Sequence, residues 1–163
     1  MKEKALEKRE PINNESLFAI LKENLKEMKF EYLSGSGMIQ AETWFRDKTY
    51  GVEFQMFIGT KDNDKVLVYY NLGRTKRLYE ALLYANEFNI YAIPFKCVVG
   101  FKDDIGSHII LEAVSQVNNL DQALMFIVNS TIRLTSKPLG LFVKRLMRFI
   151  DEPNTTKDIN KMD

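Results

Sequence analysis

Between Tyr50 and Ile58 apolar and polar residues alternate: Tyr50, Val52, Phe54, Met56 and Ile58 are separated by Gly51, Glu53 and Gln55. Side chains leave a strand on alternate faces, so this run predicts a β-strand with one buried face. Ile39, Ala41, Thr43 and Phe45 repeat the pattern upstream against Gln40, Glu42 and Trp44, and Arg46 to Thr49 turn the chain between the two strands. After a polar loop from Gly59 to Asp64, a third strand carries Val66, Val68, Tyr70 and Leu72. Leu67 and Tyr69 make its opposite face apolar too. A strand apolar on both faces is covered on both sides or sits at an interface.

From Thr75 the period becomes helical. Leu78, Leu82, Ala85 and Asn89 fall on one line, with Ala81 and Phe88 beside it and Tyr79 and Leu83 further round. Thr75 is placed to cap the start, since its hydroxyl can accept from a free first-turn N–H. Period two returns at Tyr91: Tyr91, Ile93, Phe95, Cys97, Val99 and Phe101 oppose Ala92, Pro94, Lys96 and Val98. Pro94 has no N–H for a ladder, which suits a strand start or an edge. Lys102 to Gly106 predicts a hairpin turn, with Gly106 available for a positive φ. Ile109, Leu111 and Ala113 form one face of the return strand, and His108, Ile110, Glu112 and Val114 the other.

Helices bracket these strands. Asn13 or Asn14 caps a helix from Glu15 to Met28 whose stripe is Leu17, Phe18, Leu21, Leu25 and Met28, and Ser34 to Gly37 form a turn. Asn119 with Gln122 three residues on fits a capping box, opening a helix lined by Leu120, Leu124, Ile127, Thr131 and Leu134. Pro138 and Gly140 interrupt it before Leu139, Phe142, Leu146 and Phe149 resume helical spacing. The order is α-β-β-β-α-β-β-α(-α). Strands joined by short turns are antiparallel neighbours, so the fold class is α+β, an antiparallel β-sheet with helices packed on one face. The expected organisation is a charged arm over 1–12, one α+β domain over 13–150 and a disordered polar tail over 151–163.

Composition narrows the function classes. The chain has 163 residues, 45% of them apolar, enough for one real core. Its 23 basic and 22 acidic residues leave a net charge of +1, so no overall field draws it to nucleic acid or membrane. The single cysteine, Cys97, excludes an internal disulfide and falls where a small buried residue belongs. The charged stretch Met1 to Glu10 is unlike a signal peptide, and no apolar run approaches a membrane span. A cytosolic, soluble protein is expected.

The candidate chemistry is thin. His108 is the sole histidine, and a triad or metal site would need it beside a fixed acid or nucleophile. Asp103 and Asp104 are near it but in a turn, so a structural or solvent-exposed histidine is expected. Asp62-Asn63-Asp64 starts like a calcium loop, yet Lys65-Val66-Leu67-Val68 supplies no further ligand, and a turn is expected. Gly35-Ser36-Gly37 lacks the other residues of a phosphate-binding loop. Arg133, Lys137, Lys144, Arg145 and Arg148 give the C-terminal helices a basic flank, but the domain lacks the basic excess of a nucleic-acid binder. The expectation is a non-enzyme with no cofactor and no metal.

Aromatic residues carry more information. Tyr69, Tyr70, Tyr79, Tyr84, Phe88 and Tyr91 cluster around the third strand and central helix. Tyrosine offers large contact area at small entropic cost and is enriched at interfaces. A protein-binding or homodimer surface is therefore expected at Tyr69, Tyr79, Leu83, Tyr84, Phe88 and Tyr91. A peptide would cover the apolar surface near Tyr69, Tyr84 and Phe88, or add to a sheet edge. The rival expectations are a small-molecule sensor with a pocket between sheet and helices, and a nucleic-acid-binding regulator using the basic flank.

The run Asn86-Glu87-Phe88-Asn89, the aromatic-aliphatic strand after it, the Asp104-to-Gly106 turn and Ile109-Ile110-Leu111-Glu112 together resemble the YbjN family. These are small bacterial proteins described as candidate sensory transduction regulators, with a type III secretion chaperone-like fold. The resemblance spans about Glu15 to Met147. It implies a non-enzymatic, often dimeric module that holds a partner along its helix-and-sheet surface, and it supplies no catalytic set.

Overall fold

The structure, a computed structural model, describes residues 11–152 except 27, 34, 42–44, 48–51, 92–94, 101, 135 and 137–138; for 45–47, 52, 53 and 91 it describes the backbone alone. The elements run α1 (Asn14–Asn24), β1 (Phe30–Leu33), β2 (Met38–Ala41), β3 (Phe45–Asp47), β4 (Val52–Lys61), β5 (Lys65–Thr75), α2 (Leu78–Tyr91), β6 (Lys96–Gly100), β7 (Ser107–Gln116), α3 (Leu120–Leu134) and α4 (Leu139–Leu146), closed by a 3-10 turn (Met147–Phe149). All strand pairs are antiparallel, in the order β1-β2-β4-β5-β7-β6, and β3 lies against the start of β4.

The pleat sorts the sheet into two faces. Phe54, Met56 and Ile58 of β4, Val66, Val68 and Tyr70 of β5, and Ile109, Leu111 and Ala113 of β7 are all buried. They meet Leu17 and Leu21 of α1, Ala81, Ala85 and Phe88 of α2, Ile127 of α3 and Val143 of α4 in one core. Burying each of the Val, Leu, Ile, Met and Phe side chains contributes about 1.5–3 kcal/mol. The helices thus cover one face. On the other, Phe57, Leu67, Tyr69 and Ile110 are half-buried and Val114 is exposed.

Local rules account for the ends of several elements. Asn13 accepts from the Ser16 N–H at 2.8 Å while the Ser16 hydroxyl faces the Asn13 N–H, a reciprocal cap on α1. Asp62 and Asn63 both hold positive φ in the β4–β5 turn, which these short polar side chains tolerate. Asn119 accepts from the Gln122 N–H at 2.8 Å, and the Gln122 side chain reaches back to the Asn118 N–H.

Several expectations need correction. The helix expected to reach Met28 ends at Asn24, and Phe30–Leu33, unassigned in the sequence, pairs with β2 as an edge strand. Of the strand expected over Ile39 to Phe45, Ile39 to Ala41 lie in β2 and Phe45 opens β3, both paired with β4, and Arg46 and Asp47, expected in a turn, belong to β3. Tyr91 closes α2 where a strand start was expected, and β6 begins at Lys96. Gly106 does not adopt positive φ; a glycine is required because a Cβ there would meet the Thr75 carbonyl oxygen at 2.7 Å. Gly140 interrupts nothing, being buried inside α4.

At the termini, Ile12, placed in the arm by sequence, is fully buried. Asp151 and Glu152, placed in the disordered tail, bridge to Arg74 at the end of β5. The arm at 1–10, the strand position Thr43, the turn residues Lys48 and Thr49, Tyr50 of the alternating strand, Pro94, the kink at Pro138 and the tail at 153–163 lie outside the described residues.

Candidate protein-binding surface

Helix α2 is set by the groups at its start. The Thr75 hydroxyl accepts from the Arg77 N–H at 3.0 Å, and the Asp151 carboxylate accepts from the Lys76 N–H at 2.8 Å. An anion at this end also favours the helix dipole. The Lys76 N–H, with burial opposing it and Arg77 assisting, holds the Asp151 carboxyl below the usual carboxylate range. At the far end Asn89 binds both backbone groups of Cys97.

Its inward face is small and aromatic: Ala81, Ala85 and Phe88 are buried, with Phe88 edge-to-face against Phe142 of α4 at 6.4 Å. Tyr84 is half-buried, its ring 5.5 Å from Phe149. The outward face is apolar too. Tyr79 is 72% exposed, Leu83 55%, Ile90 67% and Leu82 40%. Positions 79, 82, 83 and 90 follow helical spacing, so they form one stripe along about three turns.

The six residues expected at the interface therefore separate. Tyr79 and Leu83 share the outward stripe, whereas Phe88 is core and Tyr84 is partly sealed by Phe149. Tyr69 sits on the open sheet face, between Phe57 and Glu112, and burial followed by the Glu112 charge raises its phenol. The Tyr91 side chain lies outside the described residues. Leu82 was grouped by periodicity with Leu78, Ala85 and Asn89, and Ile90 was not singled out, although it stands seven residues beyond Leu83.

His108 is buried, with both ring nitrogens engaged. Asn71 Oδ1 accepts from the Gly73 N–H at 3.1 Å, which turns the Asn71 amide nitrogen towards His108 Nδ1, also at 3.1 Å. Nδ1 also lies 3.5 Å from Asn71 Oδ1, and Nε2 lies 3.1 Å from Asp103 Oδ2; the tautomer with its proton on Nε2 accepts from the Asn71 amide and donates to Asp103. Asp103 is held more firmly than a turn residue suggested: it accepts from the Ile105 and Gly106 N–H groups and from Arg74 Nη1. Burial alone would raise its carboxyl, but these N–H groups, His108 and Arg74 outweigh it and hold it far below the usual range. Arg74, Asp103, His108 and Asn71 thus form a structural chain locking the β6–β7 turn onto the end of β5.

Among the described residues no group of His, Cys, Asp and Glu is arranged to hold a metal, and no helix is long and apolar enough to cross a membrane. The basic flank is exposed at Arg133, Lys144, Arg145 and Arg148, with Arg145 lying over the Phe142 ring at 5.8 Å.

No family model and no curated protein matches the chain. Among solved structures it is similar to YbjN from E. coli, described as a candidate transcription regulator, with TM-score 0.60 and 12% identity over 83% of this chain and 93% of that one. The type III secretion chaperone SycH of Yersinia pestis, solved with a stable fragment of YscM2, matches at TM-score 0.40 and 16% identity over 74% of this chain and 98% of SycH. The chain has the α+β fold of YbjN, with an antiparallel sheet carrying its helices on one face.

Proposed function

We propose that this chain is a non-enzymatic protein-binding module of a regulatory kind that acts as a homodimer, the outward stripe of α2 being covered by the same stripe of a second copy. The observation carrying this reading is the two-sided apolarity of α2. Its inner face is already buried, yet Tyr79, Leu82, Leu83 and Ile90 remain open on the other. An apolar stripe of this length, broken only by the uncharged Asn86 and flanked on one side by Glu80 and Glu87, is the kind of exposed patch that a partner surface covers. The stripe contains no charge, so a two-fold axis through it opposes no like charges. The structural role of His108, held between Asn71 and Asp103, favours binding over catalysis.

Light scattering on the purified chain tests the reading. A mass of twice the chain is expected, falling to one chain on Leu83→Glu or Tyr79→Glu with the helical signal retained. These positions are cleaner probes than Tyr84, whose contact with Phe149 also holds the C-terminal segment. A wild-type monomer at all accessible concentrations would defeat the homodimer.

A further inference from the structure

The sheet order leaves β1 and β6 as its two edges, and the molecule treats them differently. Beside β6 the Asn89 side chain meets both backbone groups of Cys97, much as a neighbouring strand would. Among the described residues nothing comparable covers β1. The Leu33 carbonyl turns inward to accept from the Gly37 N–H at 2.8 Å. Alternation along an antiparallel ladder then points the N–H and C=O groups of Phe30 and Tyr32 away from β2. Among the described residues no hydrogen bond meets those outward groups.

Alongside this edge, the end of α1 and the segment after it form an open hollow of about 290 Å³ lined by Lys22, Lys26, Met28, Lys29 and Phe30. Met28 and Phe30 give it an apolar floor. Among the described residues that line it the charged ones are all exposed lysines, and Lys22 is steadied by the Phe18 ring, 5.1 Å from its ammonium. The pleat sends Glu31 to the other face of the sheet from Phe30.

We infer that β1 and this lysine-rimmed hollow receive an acidic, extended segment of a protein partner, added to the sheet as a new edge strand. Main-chain bonds to Phe30 and Tyr32 would supply affinity. Carboxylates on alternate peptide positions would leave on the helix-covered face and meet Lys22, Lys26 and Lys29 above Met28 and Phe30, while the intervening side chains would leave on the opposite face beside Glu31. A nucleic-acid strand would use the lysines but leave the outward backbone groups unmet, and a net charge of +1 provides no wider attraction for it. This inference rests on the protein-binding module proposed above and names the chemistry of its partner.

Fluorescence anisotropy with the full chain tests it. The probes are a short labelled peptide alternating Glu with Val, the same peptide with Lys for Glu, the Glu peptide with alternate backbone nitrogens methylated, and a single-stranded oligonucleotide. Only the unmodified Glu peptide is expected to bind, more weakly as salt rises. The Lys22→Glu/Lys26→Glu/Lys29→Glu variant should weaken it about tenfold or more while keeping the wild-type melting temperature, since all three side chains are exposed. Equal binding of the methylated peptide, indifference to the triple substitution, or preference for the oligonucleotide would each overturn the inference. Dimer mass in the same samples separates the two claims. An intact dimer that ignores the Glu peptide sinks only the β1 site, and a monomer that binds it sinks only the homodimer.

Discussion

The side chain of Asn89 completes the backbone bonding of Cys97: its amide nitrogen donates to the Cys97 carbonyl at 3.1 Å and its carbonyl accepts from the Cys97 N–H at 2.5 Å. One residue at the end of α2 therefore takes the place of a neighbouring strand along β6. Asn89→Ala should cost about 1–3 kcal/mol, because both backbone groups lose their partner at a half-buried site. Asn89→Asp should not restore stability, since a carboxylate can replace the acceptor but faces the Cys97 carbonyl with a second oxygen. Urea unfolding measures both. The alanine variant should also self-associate more at high concentration, because an uncovered edge strand offers itself for pairing.

Gly106 and Gly100 make a matched test of steric need. A Cβ on Gly106 would sit 2.7 Å from the Thr75 carbonyl oxygen, a backbone atom that cannot swing aside, whereas nothing lies within 4 Å of one on Gly100. Gly106→Ala should therefore lose about 1–3 kcal/mol. Gly100→Ala should stay within about 0.5 kcal/mol of wild type. Comparable melting temperatures for the two variants would show that the turn does not approach β5 as closely as described.

Acid stability should depend on Asp103. Its carboxyl lies below its unfolded value of about 3.9. Between the two values the unfolded chain binds the extra proton, so stability rises with pH there. The contribution is complete above the unfolded value and is lost as the pH falls below it. Asp151 has a shift of the same sign. Asp103→Asn should consequently give a shallower decline in melting temperature from about pH 5 downwards. An unchanged acid slope would remove Asp103 from the account.

These residues also mark how far the sequence could be read. Strict alternation from Phe54 to Ile58, the Asn13 and Asn119 caps and the Asp62-Asn63 turn were legible because each is decided by neighbours in the chain. Phe30–Leu33 was not, since four residues carry barely two periods of alternation. The outward stripe was half legible. Periodicity groups Tyr79 with Leu83 and Ala81 with Phe88, but which group α4 covers is settled only in three dimensions, by Phe142 meeting Phe88. His108 was beyond reach for the same reason. Its partner Asn71 lies 37 residues away, turned by Gly73 where the β5–β7 register shifts.

Cys97 offers a direct view of the same edge in solution. It is buried, and burial pushes its thiol up to about 12. At about pH 8 roughly one such thiol in ten thousand is ionised, against about a quarter of free cysteines. Alkylation of the native chain should therefore be slow and should scale with the population of the opened structure. Asn89→Ala should raise the rate, because freeing the Cys97 backbone loosens β6 locally. A Lys22→Glu substitution, on the opposite edge of the sheet, should leave it unchanged. Rapid stoichiometric labelling of the wild-type chain under native conditions would mean that β6 is open and that the Asn89 contact does not hold the edge closed.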